Sequence, residues 1–129
     1  MGTYRTFLGV VVISTLLVAS GCVPLLIGAA AGAGGIAYVK GTLAQNIDEP
    51  VAKIHKASLA ALKGLDMLVK SEELSQHSSV INAQYATGEK VKIEIEALTE
   101  YVSKISIRVG MLGDQEDSRL ILNAIEKKL

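Results

Sequence analysis

Val91-Lys92-Ile93-Glu94-Ile95-Glu96-Ala97 and Lys104-Ile105-Ser106-Ile107-Arg108-Val109 alternate apolar and polar residues at every step. Side chains on a strand point to opposite faces in turn, so each run has one dry side and one wet side. That is the pattern of an antiparallel sheet with one face on a core and the other in water. The two runs predict strands over 90–98 and 101–110. Their dry side holds Ile93, Ile95, Ile105 and Ile107.

Working outward, Gly88 marks a turn, and further strands are expected over 79–86 and 67–72. Asp48-Glu49-Pro50 reads as a helix start, an acidic cap followed by proline in the first turn, where no backbone donor is missed. The helix runs to about Leu62 with Gly64 as its stop signal. Val51, Ile54, Ser58, Leu62 and Leu65 fall near one face, and Lys53, Lys56 and Lys63 are expected to be exposed. Before it, Tyr38 to Ile47 reads as one strand with Val39, Leu43 and Ile47 on the same side. A last helix starts at Asp114, with Glu116 and Asp117 in its first turn, and ends in Lys127-Lys128. It turns Ile121, Leu122, Ile125 and Leu129 inward. The expected class is α+β, a single antiparallel sheet with two helices on one face, in the order β-α-β-β-β-β-α.

The amino-terminal segment reads as an address. Met1 to Thr6 carries Arg5, and Phe7 to Val18 is an apolar run. The run is shorter than the roughly 20 residues a membrane span needs. Ala19-Ser20-Gly21 then supplies small residues before Cys22, the only cysteine. These parts match a secretory signal, and the cysteine's placement resembles the lipobox of bacterial lipoproteins. That resemblance implies peptidase recognition through Val18, Ala19, Ser20 and Gly21, cleavage before Cys22, and acyl chains on Cys22. The expected organisation is a signal peptide over 1–21, a lipidated Gly/Ala-rich tether over 22–35, and an α+β domain over 36–129. The rival reading is an uncleaved membrane anchor, because no charged residue occurs from Thr6 to Val39. Pro24 and the glycines at 21, 28, 32, 34 and 35 argue against one straight helix. The G-x-x-x-G spacing of Gly28 and Gly32 fits helix pairing within a membrane, so tether and embedded segment both stay open.

Composition excludes several functions. The 13 basic and 13 acidic residues cancel, which leaves no basic excess to neutralise nucleic-acid phosphates. No tryptophan is present, and Tyr38, Tyr85 and Tyr101 are the aromatics beyond the signal, a poor supply for base or sugar stacking. Gly32-Ala33-Gly34-Gly35-Ile36-Ala37 mimics a dinucleotide fingerprint, but no strand precedes it, so no nucleotide is expected.

No catalytic, cofactor-binding or metal-ligating set emerges. His55 and His77 are the available bases. His55 lies beside the apolar face of the first helix, where a packed or half-exposed histidine is expected rather than a catalytic one. His77 sits in the polar loop Ser75-Gln76-His77-Ser78-Ser79, and the two lack zinc-ligand spacing. Glu94 and Glu96 share a strand face, with carboxylates about 7 Å apart. Lys104 and Arg108 on the neighbouring strand make cross-strand charge pairing the simpler account. A phosphate site at the last helix is not expected, because Asp114, Glu116 and Asp117 repel an anion there.

Three stretches carry a likeness: Cys22 with the Gly/Ala run to Ala37-Tyr38-Val39-Lys40-Gly41, then Ala57-Ser58-Leu59-Ala60-Ala61-Leu62, and Ile107-Arg108-Val109-Gly110 through Gly113-Asp114 to Ser118-Arg119. By these the chain resembles a family of small bacterial lipoproteins defined by a domain of unknown function. The element order is also similar to the helix-grip domains of an outer-membrane assembly lipoprotein, a likeness of topology that brings no activity with it. The expected function is a non-enzymatic structural or protein-interaction module. It is held at a membrane in the cell envelope through Cys22, with an envelope protein as possible partner. Val23 after the cysteine points to the periplasmic face of the outer membrane, since Asp at that place retains lipoproteins in the inner one. The alternative is a carrier of a small apolar ligand or lipid, held between sheet and helices.

Overall fold

A computed structural model describes residues 35–129 of the chain. The expected signal over 1–21, Cys22 and the stretch that follows it to residue 34 lie outside the described residues. The elements are β1 (Ala37–Val39), β2 (Thr42–Ile47), α1 (Val51–Gly64), β3 (Leu68–Leu74), β4 (Ser78–Gln84), β5 (Lys90–Ala97), β6 (Ser103–Val109) and α2 (Gln115–Glu126). They form one six-stranded sheet in the order β1-β2-β6-β5-β4-β3, antiparallel at every pairing. The class is α+β as expected. The chain meanders from β3 to β6, and β6 lies between β5 and β2.

The segment expected as a single first strand is a hairpin. Lys40 and Gly41 both take positive φ, 50° and 80°, the backbone that lets a two-residue turn follow the twist of its strands. Lys-Gly lacks the Asn-Gly or Asp-Gly signature of such turns, so the residues read as uninterrupted strand. The turn is also pressed against the loop after β6. A Cβ on Gly113 would stand 2.2 Å from the Gly41 carbonyl oxygen, and one on Gly41 2.5 Å from that of Leu112. Backbone meets backbone here, and only glycine leaves the room.

Both ends of α1 differ from expectation. Pro50 itself is the N-cap and no side chain caps the helix, so neither Asp48 nor Glu49 takes that role. Pro50 carbonyl oxygen accepts from the Lys53 and Ile54 amides at 3.1 and 3.2 Å, and Glu49 pairs with Lys53 at 2.6 Å. At the far end Gly64 is still helical. The left-handed residue is Asp66, with φ 56°. Met67 amide donates to Leu62 carbonyl and Asp66 amide to Lys63 carbonyl, at 3.0 and 3.1 Å. This is the six-to-one and five-to-two pairing of a Schellman end, and Met67 and Leu62 supply its apolar contact as buried residues. At α2 the expected cap is present, with the Asp114 carboxylate accepting from the Asp117 amide at 2.9 Å.

Both helices cover the same face of the sheet. α1 packs on β3, β4 and β5, α2 on β2 and β6, and the helices touch each other. Ile93, Ile95, Ile105 and Ile107 are buried beneath them together with Leu43 and Ile81, against Ile54 and Leu62 of α1 and Ile121, Leu122 and Ile125 of α2. Each of these side chains is at most 1% exposed. The alternation in β5 and β6 therefore faces as expected.

Candidate functional site

Among the described residues, the other face of the sheet carries no helix. At the end where β4 stops and β5 starts it forms a groove of about 440 Å³ lined by Lys70, Asn82, Gln84, Lys90, Lys92 and Arg108. Lys70 reaches it because the β3–β4 register shifts between Val69 and Ser71. A bulge of this kind leaves one residue unpaired and re-aims its side chain. Arg108 is braced: its guanidinium donates to the Lys40 carbonyl oxygen at 3.3 Å and to that of Met111. Asn82 amide nitrogen donates to Ser71 Oγ at 3.0 Å and Gln84 amide nitrogen to the Gly88 carbonyl at 2.8 Å.

The charges on this face are not paired as expected. Glu94 pairs with Lys92 of its own strand at 2.7 Å. Glu96 stands opposite Lys104 in register, but Arg108 stands opposite Lys92, its like charge. Arg108 spends its donors on carbonyls, which relieves the mismatch. Glu94 and Glu96 thus belong to a surface charge pattern, and cations dominate one end of it.

On the dry side the structure gathers three residues that sequence spacing did not connect. Nδ1 of His55 lies 2.6 Å from Ser79 Oγ, and Nε2 lies 3.2 Å from a Glu72 carboxylate oxygen. Serine, histidine and glutamate in a row resemble a nucleophile, base and orienting acid. Burial argues against that use, since Ser79 is 2% and His55 7% exposed. The row ties α1 to β4 and to the edge strand β3, and it satisfies a histidine enclosed in the core. His77 is elsewhere. It lines a separate groove of about 450 Å³ with Pro50, Val51, Leu98 and Glu100. The sequence signal for the row was His55 beside the apolar face of α1; its partners come from strands whose register was not legible.

Beyond β6 the chain exposes two large apolar side chains in succession, Met111 at 90% and Leu112 at 93%. Nearby, Tyr85 is packed against the core. Its hydroxyl is pushed above its ordinary pKa first by burial and then by the carboxylates of Asp117, Glu89 and Asp114. Among the described residues no group of His, Cys, Asp and Glu could hold a metal ion. No helix among them is long and apolar enough to cross a membrane.

Fold and surface together define a small α+β module with a filled core and one sheet face free of helices among the described residues. The chain belongs to the family described as a protein of unknown function, DUF3568, whose model matches residues 6–128. No curated protein matches it.

Proposed function

We propose that this chain is a bacterial lipoprotein of the cell envelope, acylated on Cys22, whose α+β domain is a non-enzymatic interaction module. The observation that carries the reading is the apolar run Phe7–Val18 followed by Ala19-Ser20-Gly21 and the only cysteine. Two or three acyl chains are expected, because a single chain holds a protein only marginally, at about 0.8 kcal/mol per buried methylene. Val23 favours the periplasmic face of the outer membrane. The kinship with helix-grip domains belongs to the same proposal. In support of an interaction role, the side of the sheet away from the helices is open and carries a braced arginine beside lysines.

The carrier reading needs a hollow beneath the helices. The largest side chains there are at most 1% exposed, so packing favours a surface that binds over a cavity that holds. Intact-mass analysis of protein extracted from membranes tests the anchor. The mature chain should begin at Cys22 with the mass of its acyl groups, and a chain retaining Met1 refutes the reading. Crosslinking in intact cells tests the module, which should capture one envelope protein reproducibly.

A further inference from the structure

We propose that the tip formed by Met111 and Leu112 is a second, non-covalent membrane contact, entering the lipid interface while the neighbouring cations meet headgroup phosphates. This rests on the lipoprotein reading, since acylated Cys22 is what brings a bilayer within reach.

Scattered exposed apolar residues are ordinary on protein surfaces. This pair differs in being consecutive and held out by a braced loop. Arg108 donates to the Met111 carbonyl, Gly113 is pressed on Gly41, and the Asp114 amide closes on the Val109 carbonyl at 3.0 Å. Val39 adds a side chain 63% exposed on the adjoining hairpin.

The tip borders the cationic groove, and Arg108 belongs to both. Lys70, Lys90, Lys92 and Arg108 line that groove, and Glu94, paired with Lys92, is one acid at its edge. A second acid, Glu89, lies beside Gly110 at the rim of the groove. Glu89, Asp114 and Asp117 surround Tyr85, which packs against the core. Four cations therefore face two carboxylates, Glu89 and Glu94, on the open side next to the tip, while Asp114 and Asp117 belong to the start of α2. Methionine and leucine enter fluid acyl chains without a shaped pocket, and lysine and arginine match lipid phosphates, so this chemistry fits a bilayer. From Cys22 to Gly35 the chain can extend about 45 Å at 3.3–3.6 Å per residue. That length exceeds the roughly 30 Å of a small domain, so the number of residues after Cys22 does not by itself dictate which side of the domain meets the bilayer.

The chain has no tryptophan, so one introduced residue reports its own surroundings. Acylated Leu112→Trp protein is reconstituted in phosphatidylethanolamine–phosphatidylglycerol vesicles, floated, and read by emission and by quenching from brominated acyl chains. Tyr101→Trp, at a position 70% exposed in the β5–β6 loop, is the control at the opposite end. The expected result is blue-shifted, quenched emission at 112 and water-like emission at 101. Adding Lys70→Gln and Lys90→Gln should lower the docked-to-undocked ratio about 30-fold, the equivalent of about 1 kcal/mol per cation near an anionic surface. A floating protein with both positions water-like, or with 101 quenched instead, overturns the inference and leaves the anchor intact. A blue shift at 112 without lipid quenching assigns the tip to a protein or a second copy and also overturns it. A chain that does not float removes the anchor and the inference with it.

Discussion

Ser79→Ala separates a structural role for the buried row from a catalytic one. Ser79 Oγ is 2.6 Å from His55 Nδ1, and the two residues are 2% and 7% exposed. Alanine leaves Nδ1 enclosed without its partner, and an orphaned buried polar group costs about 1–3 kcal/mol. Glu72 at the other end of the row has a side chain 49% exposed. Solvent therefore competes for its carboxylate, and Glu72→Ala should cost no more than about 1 kcal/mol. For a domain of this size about 1 kcal/mol shifts the melting midpoint by roughly 4–8 °C. Urea unfolding and calorimetry of both variants, on the otherwise intact chain, read the ordering directly. A fluorophosphonate probe, which labels activated serines, should leave Ser79 unmodified. Two results refute the reasoning: a Ser79→Ala loss under about 0.5 kcal/mol with a larger loss for Glu72→Ala, set against the cost an orphaned group carries, or labelling of Ser79 in the folded protein.

Ile107→Ala and Ile125→Ala should each lose roughly 2–5 kcal/mol in urea unfolding, because each removes a fully enclosed side chain and leaves a cavity; losses below about 1 kcal/mol at both would put the dry face elsewhere. Tyr85 gives a pH dependence. Its ordinary pKa is 10.0 and the fold raises it, so the unfolded chain ionises first. The stabilisation is complete below the unfolded value and is lost as pH climbs through it toward the folded one. Tyr85→Phe should flatten the fall in unfolding free energy between about pH 9 and about pH 11, and an unchanged slope would assign that fall to other groups.

The sheet was legible where burial imposes a period. β5 and β6 alternate because one face is covered, and Ile121, Leu122 and Ile125 repeat at helical spacing for the same reason. Local chemistry was legible at Asp114, whose side chain caps α2. It failed where tertiary contact decides the backbone. Lys40-Gly41 turns because Gly41 must pass beneath the loop at Leu112 and Gly113, a constraint invisible from its neighbours in sequence. Gly64 looked like a helix stop, but Asp66 holds the left-handed position because Met67 then reaches Leu62. The basic groove was illegible for a related reason. Lys70 joins Lys90, Lys92 and Arg108 only through the bulge in β3, and register is set by pairing across strands. The row of Ser79, His55 and Glu72 likewise needs α1 laid over β3 and β4 before its members are neighbours.

The place of β6 between β2 and β5 also orders the folding of the chain in time. Leu43 pairs with Ile107 and Ile47 with Ser103, so the first hairpin cannot join the sheet until the last strand has been made. Until then the apolar side of β2 lacks the cover of α2, which packs on β2 and β6 as well as on α1. Such distant pairing slows folding, because loop closure precedes its reward. The β3–β5 meander can assemble early from neighbours in sequence. The β2–β6 pairing joins an early hairpin to a late strand, and a chain lacking that pairing would leave an edge of β2 able to pair with another chain.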